Sequence, residues 1–180
     1  MIYIGIDPGK SGCITAIICN TKGKECFMHD MPLLPEKGID SLALFWNLNK
    51  LKEKDNVYCY IEKVQPMPKQ GSVSQVTYGI GYGKLLAVLE ILKIPFKEIR
   101  PVVWKKEFGL LKRKVDNNDK KVMKKQKKIA SVEKVIELFP MLKKEFYTKK
   151  GRLLDGRAES LLIAEYCART YKVKKIKRNK

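Results

Sequence analysis

The chain has 180 residues, 44% of them hydrophobic, and a formal net charge of +19 from 38 Lys/Arg against 19 Asp/Glu. That length fits one domain with a full core, and no apolar run approaches the roughly 20 residues that a membrane span requires. Five scattered cysteines without a C-x-x-C pair, and a single histidine, argue against a zinc site, a disulfide framework or a His-rich metal centre, and for a reducing, cytoplasmic compartment.

The first predicted element is a strand over residues 2–7, where Ile2, Ile4 and Ile6 are β-branched and Pro8-Gly9 stops the run directly after Asp7. Because the strand begins at the first residues, no signal or transit peptide is expected. Ile4-Gly5-Ile6-Asp7-Pro8-Gly9 aims one carboxylate out of the end of a buried strand. A charged Asp there is costly unless something positive sits against it, which a metal ion can supply; an Asp that merely opens a turn is the bland alternative. A second strand over 13–19 completes a hairpin, and a third over 24–29 follows a polar turn at 20–23. Asp40 is the expected N-cap of a helix bearing Leu42, Leu44, Phe45 and Leu48. Residues 57–62, Val-Tyr-Cys-Tyr-Ile-Glu, form a fourth strand that again ends on a carboxylate, Glu62.

A polar, irregular loop spans 66–71, and a long helix follows over 72–92. Gly79, Gly81 and Gly83 interrupt that helix, and their alternate spacing predicts a tight approach by another backbone or by nucleic acid. A short strand is expected over 94–99, then a short helix opened by Pro101 with Trp104 and Phe108 as core anchors. Residues 120–139 carry Val122, Ile129, Val132, Val135, Ile136 and Leu138 at helical spacing, and a last helix over 155–171 turns Leu161, Leu162 and Ala164 inward. The expected organisation is one domain over 1–171 and a basic tail over 172–180. His29, Trp46 and the cysteines are given no functional role, and Tyr78 and Tyr82 are read as packing residues.

Asp155 and Glu159, four apart at the start of the last helix, share one face, and the helix dipole favours their ionised forms. Together with Asp7 and Glu62 they make four oxygen-bearing side chains suited to a hard cation such as Mg²⁺ or Mn²⁺. Two such ions about 4 Å apart can activate water and stabilise the leaving oxygen in phosphodiester cleavage. Read singly, Asp155 is an N-cap and Glu159 a solvated residue. The charge supplies the partner: a pI near 9.7 points to a polyanion. Residues 112–128 hold nine Lys/Arg against two Asp, and 172–180 hold six with no acid. These segments lack the Trp/Phe-rich face of a membrane-surface helix, so nucleic acid is the expected partner and no membrane is.

The strand–strand–strand–helix–strand order, with Asp on the first strand and Glu on the fourth, resembles the RNase H-like superfamily. The resemblance is closest to RuvC-type Holliday junction resolvases, in particular their phage-type branch. It rests on Ile4-Gly5-Ile6-Asp7-Pro8-Gly9, on Ile61-Glu62-Lys63-Val64, and on the run from Asp155-Gly156-Arg157-Ala158-Glu159 through Ala164. Actin-like kinases open similarly but need a far longer chain. The resemblance implies an α/β, RNase H-like fold with a mixed five-stranded sheet flanked by helices. It further implies a metal-dependent crossover junction endodeoxyribonuclease, a homodimer that nicks opposed strands of a four-way junction. Asp7, Glu62, Asp155 and Glu159 would be the metal ligands for two Mg²⁺ or Mn²⁺ ions. The bacterial pattern often closes with two acids three apart, both usually Asp; here the spacing is four with Glu second, so the match is firmer at Glu159 than at Asp155. By the same resemblance, the loop 65–71 enters the junction centre, with Gln65 or Met67 as a wedge and Lys69 beside them. The long helix is the expected dimer contact and part of the DNA surface. Lys127 or Lys128 would stand at the scissile phosphate, while Lys112, Arg113, Lys114, Lys124 and Lys125 would track phosphates. A branch-migration helicase is a possible partner, and a bacterial or phage-infected cell the expected setting. The alternatives are an RNase H-like nuclease for broader branched DNA or RNA–DNA hybrids, and a non-catalytic junction-binding scaffold.

Overall fold

The structure, a computed structural model, describes residues 1–21, 23–35, 38–64, 71–111 and 120–178, with backbone alone for 120, 121, 124 and 172–178. Strands β1 (Ile2–Asp7), β2 (Cys13–Asn20) and β3 (Gly23–Asp30) form an antiparallel meander. A two-residue hairpin, β4 (Leu33–Leu34) with β5 (Gly38–Ile39), leads to helix α1 (Ser41–Lys52). The chain returns through β6 (Val57–Glu62), α2 (Ser72–Ile91) and β7 (Phe96–Ile99), then adds α3 (Pro101–Glu107) and α4 (Lys120–Leu138). A 3₁₀ turn over Pro140–Phe146 precedes the last helix, α5 (Asp155–Arg178).

β6 pairs parallel with β1, and β7 with β6, giving one mixed five-stranded sheet in the order β3-β2-β1-β6-β7. This is the expected fold class. Alternation along β1 divides the interior. Ile2, Ile4 and Ile6 face α1 and α2, meeting Leu44, Leu48, Leu85 and Leu89. On the other face α5 lies across the sheet, and Leu161 and Leu162 pack with Trp104, Val135 and Phe146. Because β1 is covered on both sides, it reads as an unbroken apolar run.

Three features depart from the sequence expectation. The hairpin β4–β5 and the 3₁₀ turn were not anticipated, since elements this short leave no hydrophobic period to detect. α2 continues through its three glycines without a break. α5 runs on to Arg178 instead of ending near Tyr171, so residues 172–178 of the expected tail continue the helix. Five of those seven residues are Lys or Arg, which favour helix by intrinsic propensity. Asp40 caps α1 as expected, accepting from Leu42 N at 3.0 Å and Ala43 N at 3.1 Å. All five cysteines are free thiols. Among the described residues, no helix is long and apolar enough to cross a membrane.

Candidate active site

Parallel pairing of β1 with β6 brings Ile6 opposite Ile61, so the next residue on each strand, Asp7 and Glu62, leaves the sheet at the same end. α5 delivers the third carboxylate. It lies so close to β1 that a Cβ on Gly5 would stand 2.2 Å from both Ala164 N and Ser160 O. A buried hydrogen bond of 2.6 Å between the Thr15 and Ser160 hydroxyls ties the helix to β2. At its first turn, Gly156 approaches the backbone of Ser11, where a Cβ would meet the carbonyl oxygen at 2.3 Å. Arg157 holds Asp30 with two bonds of 2.7 and 2.8 Å, and Ala158 is buried in the core. With its neighbours so fixed, Glu159 projects to the strand ends. One oxygen each from Asp7, Glu62 and Glu159 lies within 4.8 Å of the others.

Two of these carboxylates are held by side chains around them. Trp104, fully buried on α3, donates its indole N–H to Glu62 Oε2 at 2.8 Å. Glu159 Oε1 accepts from Lys105 Nζ at 3.1 Å and from the buried Ser131 hydroxyl at 3.2 Å. Lys105 Nζ also stands 4.8 Å from the Trp104 ring centroid. Asp7 receives no side-chain hydrogen bond from any described residue. Burial, and then the charges of Glu159, Glu62 and Asp155, hold its carboxyl well above the usual range, with Lys105 pulling the other way. Glu62 is also raised, by burial first and then by Glu159, against Lys105 and the Trp104 hydrogen bond. From α2, the Tyr78 hydroxyl donates to the Pro8 carbonyl at 2.7 Å, one residue beyond Asp7. Burial and the charges of Asp7 and Glu62 push that hydroxyl up to about 12.

The fourth expected ligand stands apart. Asp155 lies outside the cluster, and its Oδ2 pairs with Lys128 Nζ at 2.7 Å. Its charge nonetheless reaches Asp7. Lys127 is exposed and pairs with none of the four carboxylates, and Lys125 is exposed on the same helix. Gln65, Met67, Lys69, Lys112, Arg113 and Lys114 lie outside the described residues, as does the side chain of Lys124. Sequence reasoning overlooked Lys105 and Ser131 as neighbours of the carboxylates, and read Trp104 as a core anchor, or a base-stacking platform beside Lys105 and Lys106, and not as a partner of Glu62. The Trp-Lys pair follows Pro101 on a short helix, and only the turn out of β7 brings that helix over Glu62. No local pattern carries this information.

No protein-family model matches the sequence, and no curated protein matches it. Solved structures do match. Thermus thermophilus RuvC in complex with a Holliday junction substrate superposes with a TM-score of 0.57 at 13% identity, covering 91% of this chain and 90% of that one. The T. thermophilus RuvC structure gives 0.52 at 13% identity, with 91% of each chain covered. The yeast mitochondrial Holliday junction resolvase Ydc2 gives 0.54 at 16%, covering 89% of this chain and 75% of its own. The chain has the RuvC-type, RNase H-like fold. On this RuvC-type fold the three carboxylates come from β1, β6 and α5, the same three segments that carry the motifs in the sequence.

Proposed function

We propose that this protein is a metal-dependent endonuclease that resolves four-way DNA junctions by paired, symmetric nicks. The observation that carries the reading is the convergence of Asp7, Glu62 and Glu159 in a chain of net charge +19. Burying three carboxylates together costs free energy in a protein whose partner is itself an anion. The donor set suits a hard divalent cation, since it offers carboxylate oxygens and no sulfur or imidazole. Asp7, Glu62 and Glu159 would hold Mg²⁺ or Mn²⁺, two ions in our reading, with Asp155 joining when Lys128 lets it go. When bound, the metal supplies Lewis acidity for phosphodiester hydrolysis.

The chain's own residues then have distinct tasks. Trp104 fixes the direction of Glu62, and Ser131 fixes that of Glu159. Lys105, the cation nearest the cluster among the described residues, is placed to neutralise charge that develops on the scissile phosphate. Lys128, bound to Asp155, is the second lysine at the site. The homodimer finds support on α2: Gly79 and Gly83 have open space where a Cβ would stand, beside the exposed Val76 and Ile80. Of the three α2 glycines, Gly81 alone is approached by a described residue, Ile39 Cδ1 at 3.2 Å.

The deciding experiment is strand-labelled cleavage with Mg²⁺, offering a four-way junction, a Y-fork, a linear duplex and an RNA–DNA hybrid in parallel. Paired nicks at symmetric positions, confined to the four-way junction, are expected. Cleavage spread over forks or the hybrid would make this a broader RNase H-like nuclease. Tight junction binding with no cleavage in Mg²⁺ or Mn²⁺ would make it a scaffold.

A further inference from the structure

Beside the carboxylate cluster, between the end of β3, the C-terminal part of the chain's turn at 148–152 and the first turn of α5, lies an open cleft of about 1020 Å³. Five cationic side chains line it: Lys10, Lys125, Lys128, Arg152 and Arg157. The two carboxylates in its wall are already engaged, Asp30 by Arg157 and Asp155 by Lys128. Lys10, Lys125 and Arg152 form no ion pair with any described residue. We propose that this cleft binds the phosphate backbone of one duplex arm of the branched DNA as it passes the carboxylate site.

Three observations carry the inference. Position is the first: Asp155 and Gly156 line the cleft, and Asp155 lies one helical turn before Glu159, so a strand leaving the cluster on this side meets the cleft next. Concavity is the second. Lysines on a convex surface are ordinarily solvated decoration, whereas cations around a hollow with low-dielectric walls focus a positive potential into it. Preorganisation is the third. The rim is a tight turn, closed by Thr148 N to Arg152 O at 2.8 Å, Gly151 N to Thr148 O at 2.8 Å and Arg152 N to Thr148 Oγ1 at 3.0 Å. A bridge between Tyr147 and Leu153 anchors its base. Lys149 and Lys150 stand exposed at its tip, so the turn presents basic side chains on a backbone that needs no ordering when DNA arrives.

The other large cleft provides a contrast. It lies between α2 and β5, and its lining holds two cations against five: Lys10, and Lys84, whose Nζ donates to the Ile39 carbonyl at 2.8 Å. Lys149, Lys150 and Arg152 lie outside the lysine-rich stretch 112–128 in the sequence, so their contribution can be removed without changing that stretch.

The inference rests on the proposed junction nuclease, and the test separates the two. The triple variant Lys149→Gln/Lys150→Gln/Arg152→Gln is compared with wild type for binding to a four-way junction over a salt series in Ca²⁺, with hydroxyl-radical footprinting of the arms. The variant is expected to lose affinity ten-fold or more, to reduce the log–log salt slope by about 2 to 3, and to lose protection of phosphates along one arm. Mn²⁺ binding at the carboxylates, followed by electron paramagnetic resonance, should match wild type. An unchanged slope and footprint, in a protein that still cuts junctions, overturns the cleft and leaves the nuclease reading standing. Wild-type protein that binds no branched DNA overturns both. If the triple variant melts early, Arg152→Gln alone, a change at a lining side chain, is run in the same assays, and an unaltered slope and footprint again refute the cleft.

Discussion

Trp104 and Lys105 are consecutive residues of α3, one bonded to Glu62 and the other to Glu159, so a single turn of helix orients two of the three clustered carboxylates. Trp104→Phe keeps an aromatic ring in the core but removes the indole donor. Loss of a hydrogen bond that orients a ligand costs about 10- to 100-fold in metal affinity or activity. The Mn²⁺ dissociation constant of the variant should rise by that factor, and a variant that binds Mn²⁺ like wild type would reduce Trp104 to a packing residue. Asp7 poses the opposite problem, because burial and three neighbouring acids raise its pKa and only Lys105 opposes them. A carboxyl raised by folding holds its proton where the unfolded chain has lost it. Its stabilising contribution is therefore complete below the unfolded pKa and disappears as pH rises through the folded value. Without divalent metal, thermal stability should decline as pH climbs out of the ordinary carboxylate range, and saturating Mg²⁺ should flatten the decline. Asp7→Asn removes the buried charge. In metal-free protein it should melt about 2–4 °C higher for each kcal/mol relieved, while cleavage is lost. Melting curves in EDTA across pH check both statements; an Asp7→Asn protein less stable than wild type would contradict them.

α5 is the element on which the site depends, since its lateral position on β1 decides whether Glu159 reaches the strand ends. Gly5 permits that position. A methyl group there would overlap helix backbone, which cannot swing aside as a flexible side chain can. Gly5→Ala should therefore cost at least about 1–3 kcal/mol, lower the melting temperature and weaken Mn²⁺ binding together, by displacing Glu159. Unchanged melting would mean that the helix sits further from β1 than 2.2 Å contacts imply. This element also marks where the sequence was legible. Asp7 and Glu62 could be read because β-branched runs end on them and chain order makes their strands neighbours. Glu159 could be read because it lies one turn into an apolar helix. The separation of Asp155 from the cluster could not, because a four-residue spacing says that two side chains share a helix face and nothing about which reaches the sheet. Lys105, Ser131 and the turn at 148–152 owe their positions to the docking of α3, α4 and the 3₁₀ segment, which involves contacts distant in sequence. Gly5 itself stood within the first motif, yet its role appears only when α5 is laid against it.

At the scale of the whole molecule, the two faces of the sheet carry different surfaces. The α5 face and its margins gather cations near the carboxylates, while the α2 side presents apolar residues, Val76 being 61% and Ile80 58% exposed. With Gly79 and Gly83 these two residues share one stripe of α2, at the spacing that brings side chains onto a common helix face. Such a stripe suits a second copy packed around a twofold axis, where a patch meets itself. Paired nicking would then require the dimer, because each chain has one cluster of Asp7, Glu62 and Glu159 and a resolved junction needs two cuts. Val76→Asp/Ile80→Asp places two charges on that stripe. In sedimentation the variant should run as a monomer at concentrations where wild type is a dimer. On a supercoiled plasmid with an extruded cruciform, coordinated cutting within one encounter gives linear product, whereas a lone cut releases the supercoiling, the cruciform is reabsorbed, and nicked circle accumulates. The variant should thus shift product from linear to nicked circle while its Mn²⁺ affinity stays at the wild-type value. Linear product from a demonstrated monomer would show that one chain makes both cuts in turn, and wild-type dimer mass in the variant would move the interface off α2.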